Sequence, residues 1–373
     1  MKRIALQILA LIMTIGFCIT YADPGVTTSA KAAVVMDVKT GRVLYSKNPD
    51  SKLPMASTTK IMTTLVAIES GRLKEIVKVS KKAASTEGSS IYLKEGEKIT
   101  VEELLFGIML RSGNDAAMAV AEHIGGSVEG FADMMNATAR EVGALNTSFA
   151  NPHGLDNPQH YTTAYDLALI TSYALRNEKF AEIVKTKKKT ISGPPDVEWD
   201  RSMMNKNKML SQFEGGDGVK TGFTSKAGRC LVSSATRDNW QLCSVVLNCG
   251  PMWEESAAIL NYGFSNFSRQ KVIDSEEIYQ QLRVIAGKQE LVEIKPTFDF
   301  FMPLSQVEID KLIFIPALKF NNKAPIYKGS KAGELKIYIG NEYISSVDLE
   351  YCQSIESKDP LYHFHRIFRS ITN

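Results

Sequence analysis

Histidine and cysteine are scarce, with five of each among the 373 residues. Cys18, Cys230, Cys243, Cys249 and Cys352 fit neither a zinc spacing nor a Cys-x-x-Cys redox motif, so no metal centre and no cofactor are expected. A chain this long buries enough apolar surface to fold without disulfides. Buried free thiols are the expectation, with a pair among the last four cysteines as the alternative. The net charge is only +3, and no basic patch interleaved with aromatics is present. That excludes nucleic acid as a partner. No internal repeat and no low-complexity linker appear.

The apolar run from Ile4 to Ile19, interrupted by Gln7 and Thr14, falls short of the roughly 20 residues that span a bilayer. Lys2 and Arg3 precede it, and Thr20-Tyr21-Ala22 follows. This is the pattern of an export signal cleaved after Ala22, and it places the mature protein on the outer side of the cytoplasmic membrane. Cys18 suggests a lipoprotein, but Phe17 is too large for such a processing site.

What the chain does have is two kinds of pattern. Up to about residue 268, short hairpins bracket a run of helices. The first hairpin is Ala32–Asp37 with Arg42–Tyr45, and the second is Arg229–Ala235 with Gln241–Asn248. Helices are expected from Ser57, from Thr100 as a cap, from Asp115 to Ile124, from Phe131 to Val142, from Thr163 to Arg176 and from Glu254 to Phe264. Between them lies a polar loop over Glu87–Gly96 with a short strand at Ile91–Leu93. The fold class is α+β, an antiparallel sheet with helices packed around it. From 269 to 356, Val, Ile, Phe and Tyr alternate with polar residues in short runs, the pattern of a small all-β domain. In the last stretch, 357–373, Asp359-Pro360 opens a helix. Its Leu361, Phe364, Ile367, Phe368 and Ile371 share one arc, opposite Arg and His, which suits an anionic membrane surface.

The stretch Pro54-Met55-Ala56-Ser57-Thr58-Thr59-Lys60 leads into an apolar helical pattern. Ser57 and Lys60, three residues apart, are neighbours on one helix face. Serine is a poor nucleophile until a base takes its proton, and lysine can be that base when burial or a nearby cation lowers its pKa. The spacing alone is weak, since Ser is a common helix cap and Ser268-Arg269-Gln270-Lys271 repeats it. Two further motifs follow in order, Ser112-Gly113-Asn114 and Lys220-Thr221-Gly222. An earlier Lys39-Thr40-Gly41 sits in the first hairpin, too near the start to belong to the set.

The ordered set resembles the known signature of the penicillin-binding proteins and serine β-lactamases. Gly88-Ser89-Ser90, Arg111–Ala117, Asn151-Pro152-His153-Gly154-Leu155 and Asp217–Thr224 sharpen the likeness to low-molecular-weight D-alanyl-D-alanine carboxypeptidases. This resemblance implies a β-lactamase/transpeptidase-like domain over 23–268. It implies peptidoglycan stem peptides as substrate, β-lactam antibiotics as covalent inhibitors, and a C-terminal anchor. It also implies Ser57 as nucleophile and Lys60 as base, with Ser112 relaying a proton to the leaving amine. Asn114 would hold the substrate amide, and the Ser57 and Phe223 N–H groups would form the oxyanion hole after Gly222. Lys220 would keep Lys60 neutral, and Thr221 would bind the terminal carboxylate, with Lys206 as a weaker candidate beside it. Some members carry His where this chain has Phe223. A Ser-His triad through His153 has no supporting Asp or Gly-x-Ser-x-Gly context, so His153 is read as a structural loop residue. A β-lactamase would need a deacylating Glu in Glu-x-x-Leu-Asn, and Glu141 with Leu145-Asn146 has the wrong spacing. A non-turnover penicillin sensor would carry membrane spans.

Overall fold

The computed structural model describes residues 25–193 and 199–358. The expected export signal and all but the first two residues of the 357–373 stretch lie outside them. Among the described residues, no helix is long and apolar enough to cross a membrane.

The chain divides into two compact units, and the described part of the first runs from 25 to 265. β1 (Ala32–Asp37) and β2 (Val43–Lys47) form the first hairpin. The Asp37 carboxylate accepts the Thr40 N–H at 2.6 Å and the Trp240 indole N–H at 2.7 Å, tying the turn to the returning hairpin. Two small ladders follow, β3 (Ile76–Lys78) with β4 (Lys98–Thr100) and β5 (Lys188–Ile191) with β6 (Arg201–Met204). β7 (Gly216–Thr224), β8 (Gly228–Arg237) and β9 (Trp240–Leu247) complete the main sheet, in the order β2-β1-β9-β8-β7 with every pair antiparallel. Every residue of β1 is buried, so both faces of the sheet's centre are covered.

The helix Lys60–Glu69 is buried at every position except Glu69. It is a core helix, apolar nearly all round. Helices Asn114–Gly125, Val128–Val142 and Ala164–Leu175 pack on it. Their starts are set by side chains as the sequence suggests. Thr100 forms a reciprocal capping box with Glu103, Ser127 accepts from the Gly130 N–H, and Thr163 from that of Asp166.

Two local expectations change. Ser57 lies in a 3-10 turn, Ala56–Thr59, and the α-helix proper begins at Lys60. Ile91–Leu93 is not a strand. The N–H groups of Ile91 and Leu93 both donate to the buried Asp115 carboxylate at 3.1 Å, and Tyr92 between them has φ +61°. Lys220-Thr221-Gly222 lies inside β7, whose turn comes after Thr224.

In the second unit, described over 266–358, β10 (Ser268–Ile273) pairs with β13 (Phe300–Leu304). A five-stranded antiparallel sheet has the order β11-β12-β16-β15-β14. Its strands are β11 (Gln280–Arg283), β12 (Leu291–Pro296), β14 (Leu312–Leu318), β15 (Lys331–Ile339) and β16 (Glu342–Tyr351). Val292 and Ile294, two apart on β12, share one buried face with Ile337, Val347 and Leu349. Cys230, Cys243 and Cys249 are buried, Cys352 is half-buried, and all four are free.

Candidate active site

The Ser57 hydroxyl does not cap its helix. It accepts a hydrogen bond from Lys60 Nζ at 3.0 Å, and the same amine donates to Asn114 Oδ1 at 2.7 Å and to the His153 carbonyl at 2.5 Å. Lys60 is fully buried. Burial first, and then the neighbouring Lys220 and Lys206, push its pKa well below the ordinary lysine value, while Asp115 opposes the fall. Lys220 is buried as well. Burial and Lys206 lower its pKa to about 7, and its Nζ donates to the Thr221 carbonyl at 2.9 Å. Lys206 is itself lowered by burial and by Arg111. Its N–H donates to the Leu110 carbonyl at 3.2 Å, which sets it beside the segment leading into Ser112. The Lys220 and Lys206 charges thus both act on Lys60, and that of Lys206 acts on Lys220.

The turn that bears Ser57 is held from behind. Ala56 has φ +49°, a conformation that a β-carbon disfavours. Its carbonyl accepts from Thr59 Oγ1 at 2.8 Å, and Thr59 Oγ1 lies 2.7 Å from His160 Nε2. The Ala150 N–H donates to His160 Nδ1, so Nε2 carries the proton and donates to Thr59. Burial keeps this imidazole neutral, lowering its pKa to about 4, with the Lys60 charge acting the same way. Gly154 closes against the turn. It has φ +89°, and a β-carbon on it would lie 1.9 Å from the Ala56 carbonyl oxygen.

Ser112 follows a π-turn, Gly107–Arg111, and is buried with left-handed backbone at φ +66°. This wide turn ends one helix and lets the next restart at Asn114. Asn114 is tied to its neighbours at both ends of its amide. With Oδ1 on Lys60, its Nδ2 donates to the Glu87 carbonyl at 2.6 Å, so both ends of its amide are engaged within the protein. On β7, a β-carbon at Gly222 would lie 3.1 Å from the Ser57 N–H nitrogen and 3.0 Å from the Met55 carbonyl. Only glycine lets the strand approach the nucleophile this closely. The Phe223 side chain is exposed, and Thr221 is half-buried. Ser57, Gly88, Ser89, Asn114, Leu155 and Phe223 are among the residues lining one small cleft.

The arrangement holds a serine hydroxyl against a buried lysine amine at the edge of a cleft. The sequence matches the D-alanyl-D-alanine carboxypeptidase family model over residues 19–250. The chain belongs to the D-alanyl-D-alanine carboxypeptidase family. It is a serine-type carboxypeptidase, a hydrolase. Residues 267–357 match the C-terminal domain of penicillin-binding protein 5. The carboxypeptidase DacF of Bacillus subtilis is 36% identical over 329 residues, covering 85% of this chain and 83% of its own. Penicillin-binding protein 5 of Haemophilus influenzae superposes with a TM-score of 0.76 at 30% identity, over 90% of this chain and all of that one. A mutant Streptomyces K15 DD-transpeptidase, at 34% identity and a TM-score of 0.61, matches 64% of this chain and 99% of its own.

Several residues build this carboxypeptidase site through contacts that the sequence does not signal. The His153 carbonyl holds Lys60, and any residue has a carbonyl. Asp115 organises the 89–93 wall, accepting from Ser90 Oγ at 2.6 Å as well as from the two N–H groups. Arg201 braces the same wall through Ile91 O at 3.0 Å, Tyr92 O at 3.1 Å and a buried pair with Glu97. The His153 ring is kept neutral by burial, its pKa lowered to about 3, and its Nδ1 accepts from the Leu155 N–H. It lines the cleft with Ser57, and its ring is bonded within its own loop.

Proposed function

We propose that this carboxypeptidase removes the terminal D-alanine from peptidoglycan stem peptides through an acyl-enzyme on Ser57. The observation that carries this is the 3.0 Å bond from the buried Lys60 amine to the Ser57 hydroxyl. Neutral Lys60 takes the hydroxyl proton as Ser57 Oγ forms its bond to the carbonyl carbon between the two D-alanines. The oxyanion is met by the N–H groups of Ser57 and Phe223. Ser112 passes a proton to the departing amine, and the C–N bond breaks to release D-alanine. Water then cleaves the ester and restores Ser57. Lys220 keeps Lys60 neutral, and Lys220, Lys206 and Thr221 receive the terminal carboxylate. Asn114 positions Lys60 through Oδ1 and holds the substrate amide through the remaining N–H of its side chain. A β-lactam would acylate Ser57 by the same steps and keep its leaving group tethered, which makes it an inhibitor. Export across the cytoplasmic membrane, supported by the pattern of residues 1–22, would bring the enzyme to its substrate.

The test is D-alanine release from diacetyl-Lys-D-Ala-D-Ala, beside Ser57→Ala. Release that disappears in the variant is expected. Acylation by penicillin without release would favour a sensor, and rapid hydrolysis of penicillin would favour a β-lactamase.

A further inference from the structure

The cleft at Ser57 has a neighbour. Thr224, which lines that cleft, donates its hydroxyl to Asp156 Oδ1 at 2.9 Å. Asp156 lines a second cavity of about 270 Å³, together with Lys52, Pro54, Tyr161 and Lys226. The Asp156–Thr224 bond is thus a partition between the two spaces. Lys226 stands in the turn between β7 and β8, just beyond the end of β7.

The direction of the bound peptide connects them. In the proposed reaction, on which this inference rests, the terminal carboxylate lies at Thr221 and the scissile carbonyl at Phe223. Residues upstream of the scissile bond then run on past Thr224 towards Lys226. β7 is the edge of its sheet, the Asp156–Thr224 side-chain bond is what a peptide passing along it must cross, and an extended peptide advances about 3.3 Å per residue. One residue opposes Thr224, and the next reaches the second cavity.

The lining says what that residue should be. Lys52 Nζ sits 5.1 Å from the centre of the Tyr161 ring. Among the described residues, neither Lys52 nor Lys226 has a carboxylate at ion-pair distance, whereas one oxygen of Asp156 is already engaged by Thr224. Two lysines without an ion-pair partner among the described residues thus line the cavity with one partly satisfied carboxylate, beside the apolar surfaces of Pro54 and Tyr161. We propose that this cavity is a subsite for a carboxylate-bearing residue two positions upstream of the one whose carbonyl is attacked, its acid group held by Lys52 and Lys226. The enzyme would thereby distinguish an acidic stem residue from the same residue as its carboxamide.

The experiment uses two acetylated peptides ending in Lys(acetyl)-D-Ala-D-Ala that differ only in glutamate or glutamine before the lysine. Binding to Ser57→Ala protein is measured by calorimetry, which needs no turnover. The glutamate peptide should bind about fivefold more tightly, as two solvent-facing ion pairs allow, and the advantage should shrink with added salt. It should vanish when Lys52→Met and Lys226→Met are combined. Asp156→Asn, which retains an acceptor for Thr224, should enlarge it. Equal binding of the two peptides, or a preference that survives loss of both lysines, would overturn the subsite. D-alanine release by the unaltered enzyme is scored separately. A binding preference without release would sink the carboxypeptidase reaction and leave the subsite standing.

Discussion

Lys60 and Ser57 meet through a 3.0 Å hydrogen bond in which the lysine amine is fully buried and the serine hydroxyl is not. The base is dry while the nucleophile faces the cleft. Lys60→Met should therefore slow acylation of Ser57 by about 10²- to 10⁴-fold, the usual worth of a positioned base. Labelling with a fluorescent penicillin over time reads this directly. Labelling at an undiminished rate would remove Lys60 from the mechanism.

The charge coupling among Lys60, Lys220 and Lys206 predicts a bell-shaped pH profile. Activity needs Lys60 neutral and Lys220 charged, so kcat/KM should rise as Lys60 gives up its proton. It should fall again above about 7, where Lys220 loses its own. Lys206 depresses both groups, and Lys206→Met should shift both limbs to higher pH. Limbs that stay in place in the variant would contradict the electrostatic role of Lys206.

Gly154 and Gly126 make a matched pair. Both have positive φ, +89° and +71°, but a β-carbon at Gly126 meets nothing within 4 Å. Gly126→Ala should cost about 1 kcal/mol from backbone strain alone. Gly154→Ala should cost about 2 kcal/mol or more, because the Ala56 carbonyl must move, and acylation of Ser57 should slow with it. Urea unfolding midpoints compare the two. Equal losses would mean that the Gly154 loop yields freely.

His160 should make the fold acid-sensitive. Its folded pKa of about 4 lies below the ordinary value near 6.5, so between these values the unfolded chain binds the proton and the folded one does not. Stability is full above about 6.5 and falls as the pH drops towards 4, by about 3 kcal/mol from this group. Urea midpoints measured across that window should decline, and a flat profile would show that His160 finds a proton-tolerant environment.

Features set by neighbours in sequence were legible. Thr100 and Glu103 form their capping box within one turn, and Ser57 and Lys60 meet because three residues of helix bring them round. Features set from a distance were not. Ile91–Leu93 has strand composition, yet its N–H groups go to Asp115, more than twenty residues later, and Arg201 reaches it from about a hundred further on. β3 and β4 are short and far apart in sequence, and local pattern gives such ladders little weight. Asn114 carries the expected motif, but its partners, a lysine on another helix and the Glu87 carbonyl, are tertiary facts.

The free thiols form a set of clocks. Burial pushes Cys230 up to about 11 and Cys243 to about 12, so neither is a thiolate in the folded protein, whereas Cys352 is partly open in the other unit. On a chain cut after Ala22, which lacks Cys18, a thiol reagent should mark Cys352 first. It should reach Cys230 and Cys243 only as fast as the main sheet comes apart. Mass spectrometry of that order would time the opening of each unit without a spectroscopic probe.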